Sequence, residues 1–128
     1  MNNDNRKPTS AHEHMAQAAL DVFDTKYFKA LCEPARVKII KKLIEMGACD
    51  VTTIAHGLFQ DRSVISRHLS ILERAGICKS QKIGRRVFYD LDGPYIVGKV
   101  TTILDAITPM ATLCKPFDGL EIHKKGAA

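Results

Sequence analysis

The chain has 128 residues, 45% hydrophobic and 26% charged, which fits one globular domain with its own core. Nineteen Lys and Arg against 14 Asp and Glu give a net charge of +5, a balance that favours an anionic partner. The polar opening Met1 to Pro8 lacks the apolar centre of an export signal, and no apolar run reaches the roughly 18 residues of a membrane span. The four cysteines at 32, 49, 78 and 114 form no Cys-x-x-Cys, so no zinc ribbon or redox motif is expected. A cytoplasmic protein with reduced thiols and no membrane partner is the expectation.

In chain order, residues 1–9 and 119–128 are expected as disordered tails around a domain spanning 10–118. Ser10 can cap a first helix in which Met15, Ala18, Ala19, Val22 and Phe23 form an apolar stripe. Pro34 suits the first turn of a second helix. Val37, Ile40 and Ile44 share one face of it, Ile39 and Leu43 lie beside them, and Gly47 ends it. Asp50 can cap a short third helix carrying Val51, Ile54, Ala55 and Leu58, and the turn Phe59 to Asp61 leads into the fourth. There Val64, Ile65, Leu69 and Leu72 make the buried side. Arg62, Ser63, Ser66, Arg67 and Ser70 stay on the polar side, His68 sits near its edge, and Gly76 stops the helix. Two β-type runs follow, Ile77 to Gln81 and Val87 to Leu91, around the basic turn Lys82-Ile83-Gly84-Arg85-Arg86. Phe88 and Tyr89 should anchor that hairpin, one on each face. A fifth helix from about Tyr95 to Leu113 carries Ile96, Val100, Ile103, Ile107 and Met110, widened by Val97, Leu104 and Ala111, with Pro109 weakening its last turn. This is more oily surface than a small core needs, and a dimer seam shared with the first helix accounts for it.

A helix with a polar leading edge followed by a basic hairpin is the sequence form of a winged helix-turn-helix, in a mainly α fold with a small β-hairpin. Residues 60–90 hold Arg62, Arg67, Arg74, Lys79, Lys82, Arg85 and Arg86 against only Asp61, Glu73 and Asp90, so most of the net charge sits there. Basic side chains displace the counterions condensed on DNA. The expected DNA-binding set is Gln60, Arg62, Ser63, Ser66, Arg67, His68 and Ser70 along the helix, with Lys82, Arg85 and Arg86 in the wing. Arg can pair bidentately with guanine in the major groove, and wing arginines suit minor-groove phosphates or base edges. His68 also has a plainer role, packing and hydrogen bonding inside the motif. An enzyme is not expected, since no nucleophile–base pair, paired carboxylates or phosphate loop is present.

Three stretches, Ala30 to Ile40, Ser66 to Ile77 and Gly84 to Leu91, together resemble the ArsR/SmtB family of dimeric winged-helix repressors over roughly residues 15–113. The resemblance implies four helices, a two-stranded wing and a fifth helix, with a homodimer packed through the first and last helices. It further implies a pseudo-palindromic double-stranded operator and release by an inducer: a thiol-reactive species, a metalloid or a metal. The chain departs from the family's commonest sensor patterns: only Cys49 stands near the third helix, and the last helix has no histidine. Cys49 and Cys114, at expected helix ends, and Cys32, between the first two helices, are the sensor candidates. Cys78 reads as a small buried hydrophobe. His12 and His14 with Cys49 form a weak mixed metal-site candidate, which needs the N-terminal arm not to be helical. A cofactor, if there is one, is a metal or metalloid ion held through cysteine. The rival is a constitutive DNA-binding dimer with no small-molecule input.

Overall fold

The computed structural model describes residues 9–23 and 25–114, so the expected tails, Thr9 apart, lie outside the described residues. It divides into two units. The larger, residues 24–100, contains α2 (Lys26–Leu31), α3 (Pro34–Met46), β1 (Cys49–Asp50), α4 (Val51–Ala55), α5 (Arg62–Arg74), β2 (Cys78–Ile83), β3 (Arg86–Leu91) and the start of α6 (Gly93–Ile107). The smaller contains α1 (Ser10–Phe23), the end of α6 and α7 (Met110–Leu113).

The core of the larger unit follows from helical periodicity in α5. Ile65, Leu69 and Leu72 recur at steps of four and three and are almost wholly buried, together with Ile39 and Leu43 of α3, Ile54 of α4 and Ile77. Each such side chain contributes about 1.5–3 kcal/mol of hydrophobic stabilisation. Val64 is only half-buried, on the shoulder of that stripe.

Three local features go beyond the sequence expectation. α2 is an additional short helix that seats Tyr27 and Ala30 in the core. β1 is an additional two-residue strand pairing with β3, which gives a three-stranded antiparallel sheet in the order β1-β3-β2. The buried face of α3 is the Ile39–Leu43 side, and Val37 and Ile44 are left 49% and 69% exposed. A helix apolar on two adjacent stripes does not reveal by periodicity which of them meets the core.

In the smaller unit, Thr9 rather than Ser10 caps α1, because its hydroxyl oxygen accepts from the His12 backbone N–H at 3.1 Å. Met15, Ala19 and Val22 form the buried stripe of α1. The expected fifth helix is interrupted: α6 stops at Ile107 and Pro109 stands at the start of α7, where its missing N–H is harmless. By length and mean hydropathy (1.3), Gly93–Leu113 would suffice to cross a membrane, contrary to the expectation that no stretch does. Lys99, Asp105 and the break at Pro109 interrupt it.

Candidate nucleic-acid interface

α5 begins at Asp61, whose extended backbone (φ −65°, ψ 151°) turns the chain into the helix. It ends in a complete Schellman motif. Gly76 N–H donates to Glu73 O at 2.9 Å, Ile77 N–H donates to Leu72 O at 3.0 Å, and Ile77 and Leu72 are both buried. Gly76 has φ +84°, a conformation glycine adopts without strain. The polar side of α5 therefore presents Arg62, Ser63 and Arg67 exposed, with Ser66 and Ser70 half-buried and Gln60 exposed just ahead of the helix.

The wing is a tight hairpin. Pairing runs unbroken from Cys78↔Leu91 to Ile83↔Arg86, leaving only Gly84 and Arg85 in the turn, narrower than the five-residue turn read from sequence. Gly84 has φ +64° while, among the described residues, none other than glycine has positive φ, the pattern of a two-residue II′-type turn. Lys82 and Arg85 project as exposed cations, and Tyr89 is buried while Phe88 is half-buried.

Helix and wing meet in a cleft of about 440 Å³ whose lining includes Arg62, Ser66, Arg85, Arg86 and Thr52. Four sequence-expected residues from two separate elements are thus brought around one concave, cationic surface. Arg86 is more constrained than its neighbours. Its Nε donates to Asp50 Oδ2 at 2.8 Å, its Nη2 lies 2.7 Å from the same oxygen, and its guanidinium sits 5.1 Å from the Phe88 ring centre. Asp50 Oδ1 accepts from Thr53 N–H at 2.9 Å, capping α4 as expected. The Thr53 hydrogen bonds, helped by Arg86, hold the Asp50 carboxyl down at about 2. One carboxylate therefore ties the wing to the start of α4. Nothing local in the sequence announces this clasp, because its partners lie 36 residues apart.

His68 faces inward. Arg36 Nη1 donates to His68 Nδ1 at 3.2 Å, while Arg36 Nε and Nη2 donate to Ala30 O at 2.6 Å and Lys29 O at 3.2 Å. Burial, with the Arg36 charge next, lowers the His68 pKa, so the ring accepts this bond as neutral imidazole. Arg36 thus binds the end of α2 to the middle of α5.

The cysteines occupy contrasting settings. Cys49 lies buried in β1, its thiol donates to Gly47 O at 3.2 Å, and burial raises its pKa. That is not the exposed helix end from which its thiolate character was argued. Burial pushes the Cys78 thiol up to about 12. Cys32 and Cys114 are exposed free thiols, the former donating to Phe28 O at 3.2 Å. His12 and His14 both stand on helical α1, so the condition for their sharing a metal is not met. Moreover, both ring nitrogens of His12 are engaged: Nε2 donates to Leu113 O at 2.8 Å, and Nδ1 meets the Thr9 hydroxyl at 2.6 Å. Among the described residues no group of three or more His, Cys, Asp or Glu is placed to hold a metal ion.

Residues 33–80 match the profile described as "Bacterial regulatory protein, arsR family". An uncharacterised HTH-type transcriptional regulator of Methanocaldococcus jannaschii is 44% identical over 62 residues, covering 48% of this chain and 70% of that protein. The cadmium resistance transcriptional regulatory protein CadC of Listeria innocua is 35% identical over 101 residues, covering 70% of this chain and 81% of its own. The solved structure of an ArsR-like transcriptional regulator from Rhodococcus sp. RHA1 shares the fold, with a TM-score of 0.60 at 23% identity over 80% of this chain and 87% of that one. With a winged helix-turn-helix built around a cationic cleft, and with relatives of this kind, the chain belongs to the arsR family of DNA-binding transcriptional regulators and is not an enzyme.

Proposed function

We propose that this protein is a cytoplasmic, homodimeric repressor that binds a pseudo-palindromic operator and is released by a thiol-reactive species, a metalloid or a metal. The observation that carries the DNA-binding geometry is the cleft joining Arg62 and Ser66 of α5 to Arg85 and Arg86 of the wing. A helix N-terminus and a basic hairpin flanking one concavity suit a duplex entered at the major groove and gripped beyond it. Arg62 and Arg67 read base edges, Gln60, Ser63, Ser66 and Ser70 contact bases or phosphates, and Lys82 and Arg85 hold the backbone. Arg86 sets the wing's position.

Two apolar surfaces support the dimer. Val97, Val100 and Leu104 follow one stripe of α6 at 66%, 48% and 58% exposure, and α1 separately exposes Leu20 and Phe23. A second copy covering both would remove apolar area that a monomer leaves in water. For release, the exposed thiols of Cys32 and Cys114 are open to reagents and soft metal ions without rearrangement, whereas Cys49 must first be uncovered. The CadC relative's link to cadmium makes a soft metal a natural first inducer to try.

The test is fluorescence anisotropy on the DNA upstream of the protein's own gene, reduced and metal-free, then after persulfide, oxidant, arsenite or cadmium. Tight binding that collapses on treatment, and survives it in Cys114→Ser or Cys32→Ser, supports a cysteine switch and names its residue. Tight binding indifferent to every treatment returns the constitutive dimer. No binding that exceeds that to random DNA removes the repressor reading.

A further inference from the structure

Eleven large hydrophobic side chains are exposed among the described residues, and nine of them lie on α1, α3 or α6, where a flat helical face can be covered by packing. Of the other two, Ile83 stands in the wing and Phe59 stands in the turn into α5. Phe59 has a relative exposure of 104%, against 69% for the next most exposed of these residues, Ile44. Such a ring adds nothing to the core. It lies two residues before Asp61, so its Cα is within about 8 Å of the α5 N-cap. Its neighbours Gln60 and Arg62 are polar and exposed, and a groove of about 310 Å³ beside it carries one cation, Lys38, and one anion, Glu33, on the α3 wall.

We infer that Phe59 is an additional DNA-contacting residue, whose ring makes apolar contact with the duplex at the edge of the groove that α5 enters. The inference rests on the DNA-binding reading proposed above. Duplex DNA offers two apolar surfaces at that edge, the thymine C5-methyl in the major groove and the deoxyribose face along its wall. An aromatic ring already exposed and carried on a short turn meets either one by losing only its own hydration. The surrounding chain needs no change of shape. Continuity decides the occupant: the ring borders the same end of α5 as Arg62 and Ser66 of the cationic cleft. The cation and anion on the groove wall balance, so the net positive charge that attracts a polyanion comes from the cleft. Phe59 then supplies the contact that charge cannot.

The experiment uses the full chain and a duplex of about 30 base pairs selected by the wild-type protein from a random pool. Phe59→Ala should weaken binding to that duplex by about 10- to 100-fold, the range expected for removing a large apolar contact. Phe59→Leu should recover part of the loss, and the thermal midpoint of the free protein should stay unchanged. Replacing each thymine by deoxyuridine identifies the partner. If one replacement weakens wild type but not Phe59→Ala, the ring touches that methyl. If none does, and Phe59→Ala weakens selected and random duplexes alike, the ring lies on deoxyribose. Unchanged affinity of Phe59→Ala beside weakened Arg67→Ala overturns the inference while leaving the DNA-binding reading intact. A lowered thermal midpoint, or a changed oligomeric state on sizing, overturns it in favour of a packing role. Wild type that selects no duplex removes both.

Discussion

Replacing Gly76 with alanine probes how α5 hands over to the wing. A Cβ at residue 76 would lie 2.5, 2.6 and 3.0 Å from Cε2, Cζ and Cδ2 of Tyr95, on a backbone with φ +84°. Two penalties are therefore separable. The left-handed backbone costs an ordinary residue about 1–2 kcal/mol. The clash must be relieved by moving the Tyr95 ring, which is 41% exposed and can swing outward, so this part resembles overpacking at about 1–3 kcal/mol. The sum, about 2–5 kcal/mol, lowers the thermal midpoint of a chain this size by roughly 8–20 °C. Circular dichroism melts of Gly76→Ala, Tyr95→Ala and the double variant, at one protein concentration, close a mutant cycle. In the Tyr95→Ala background the glycine substitution should cost only its backbone part. An identical cost in both backgrounds would refute the steric account and leave the Schellman turn alone to explain the glycine.

Arg67→Ala should cost about 1–3 kcal/mol on a selected duplex and little on random DNA, whereas equal losses would make Arg67 a phosphate contact. Arg85→Ala should reduce the log–log salt slope of binding by about 1, and an unchanged slope would take the wing tip off the backbone. The Asp50 carboxyl titrates at about 2 when folded against an ordinary 3.8, so the clasp's contribution is complete above 3.8 and fades as pH falls through about 2. Asp50→Asn should flatten that acid limb, and coincident urea midpoints for the two proteins from pH 5 down to pH 2 would count against the clasp. The His68 pKa is lowered below 6.5, so the unfolded chain binds the proton first and stability should decline as pH drops below that value. His68→Gln should remove the decline, as urea midpoints at pH 7 and 5 would report.

The parts of this fold that sequence reveals are those whose signal is local and periodic. The stripe Ile65, Leu69 and Leu72, the stop at Gly76 and the reversal at Gly84 each follow from a few neighbouring residues, and the structure places them as read. Asp50 was legible as a cap for the same reason. Its second duty, holding Arg86, was not, because that contact exists only once β1 has paired with β3. β1 is two residues long and has no alternation to detect. α2 covers six residues, under two helical turns, and sets up no stripe. Val37 and Ile44 share one face of α3, yet Ile39 and Leu43 beside them meet the core, and periodicity alone does not choose between adjacent faces. His68 was legible both as a DNA contact and as a packing residue inside the motif, and only the assembled core turns it and Arg36 toward each other.

The wing's unbroken ladder restricts how its length can vary. Each residue from Cys78 to Ile83 has its own partner between Arg86 and Leu91, and the turn spends only two residues. Inserting one residue must therefore raise a bulge or slip the ladder, and a slip exchanges inward for outward along the strand, sending Tyr89 toward solvent and Phe88 toward the core. Adding two residues to each strand keeps a hydrogen-bonded pair at the two-residue turn and lengthens the hairpin by about 7 Å. Relatives with longer, unbulged wings closed by a two-residue turn are then expected to differ from this chain by multiples of four residues between 78 and 91, a rule that any collection of such wings can be checked against.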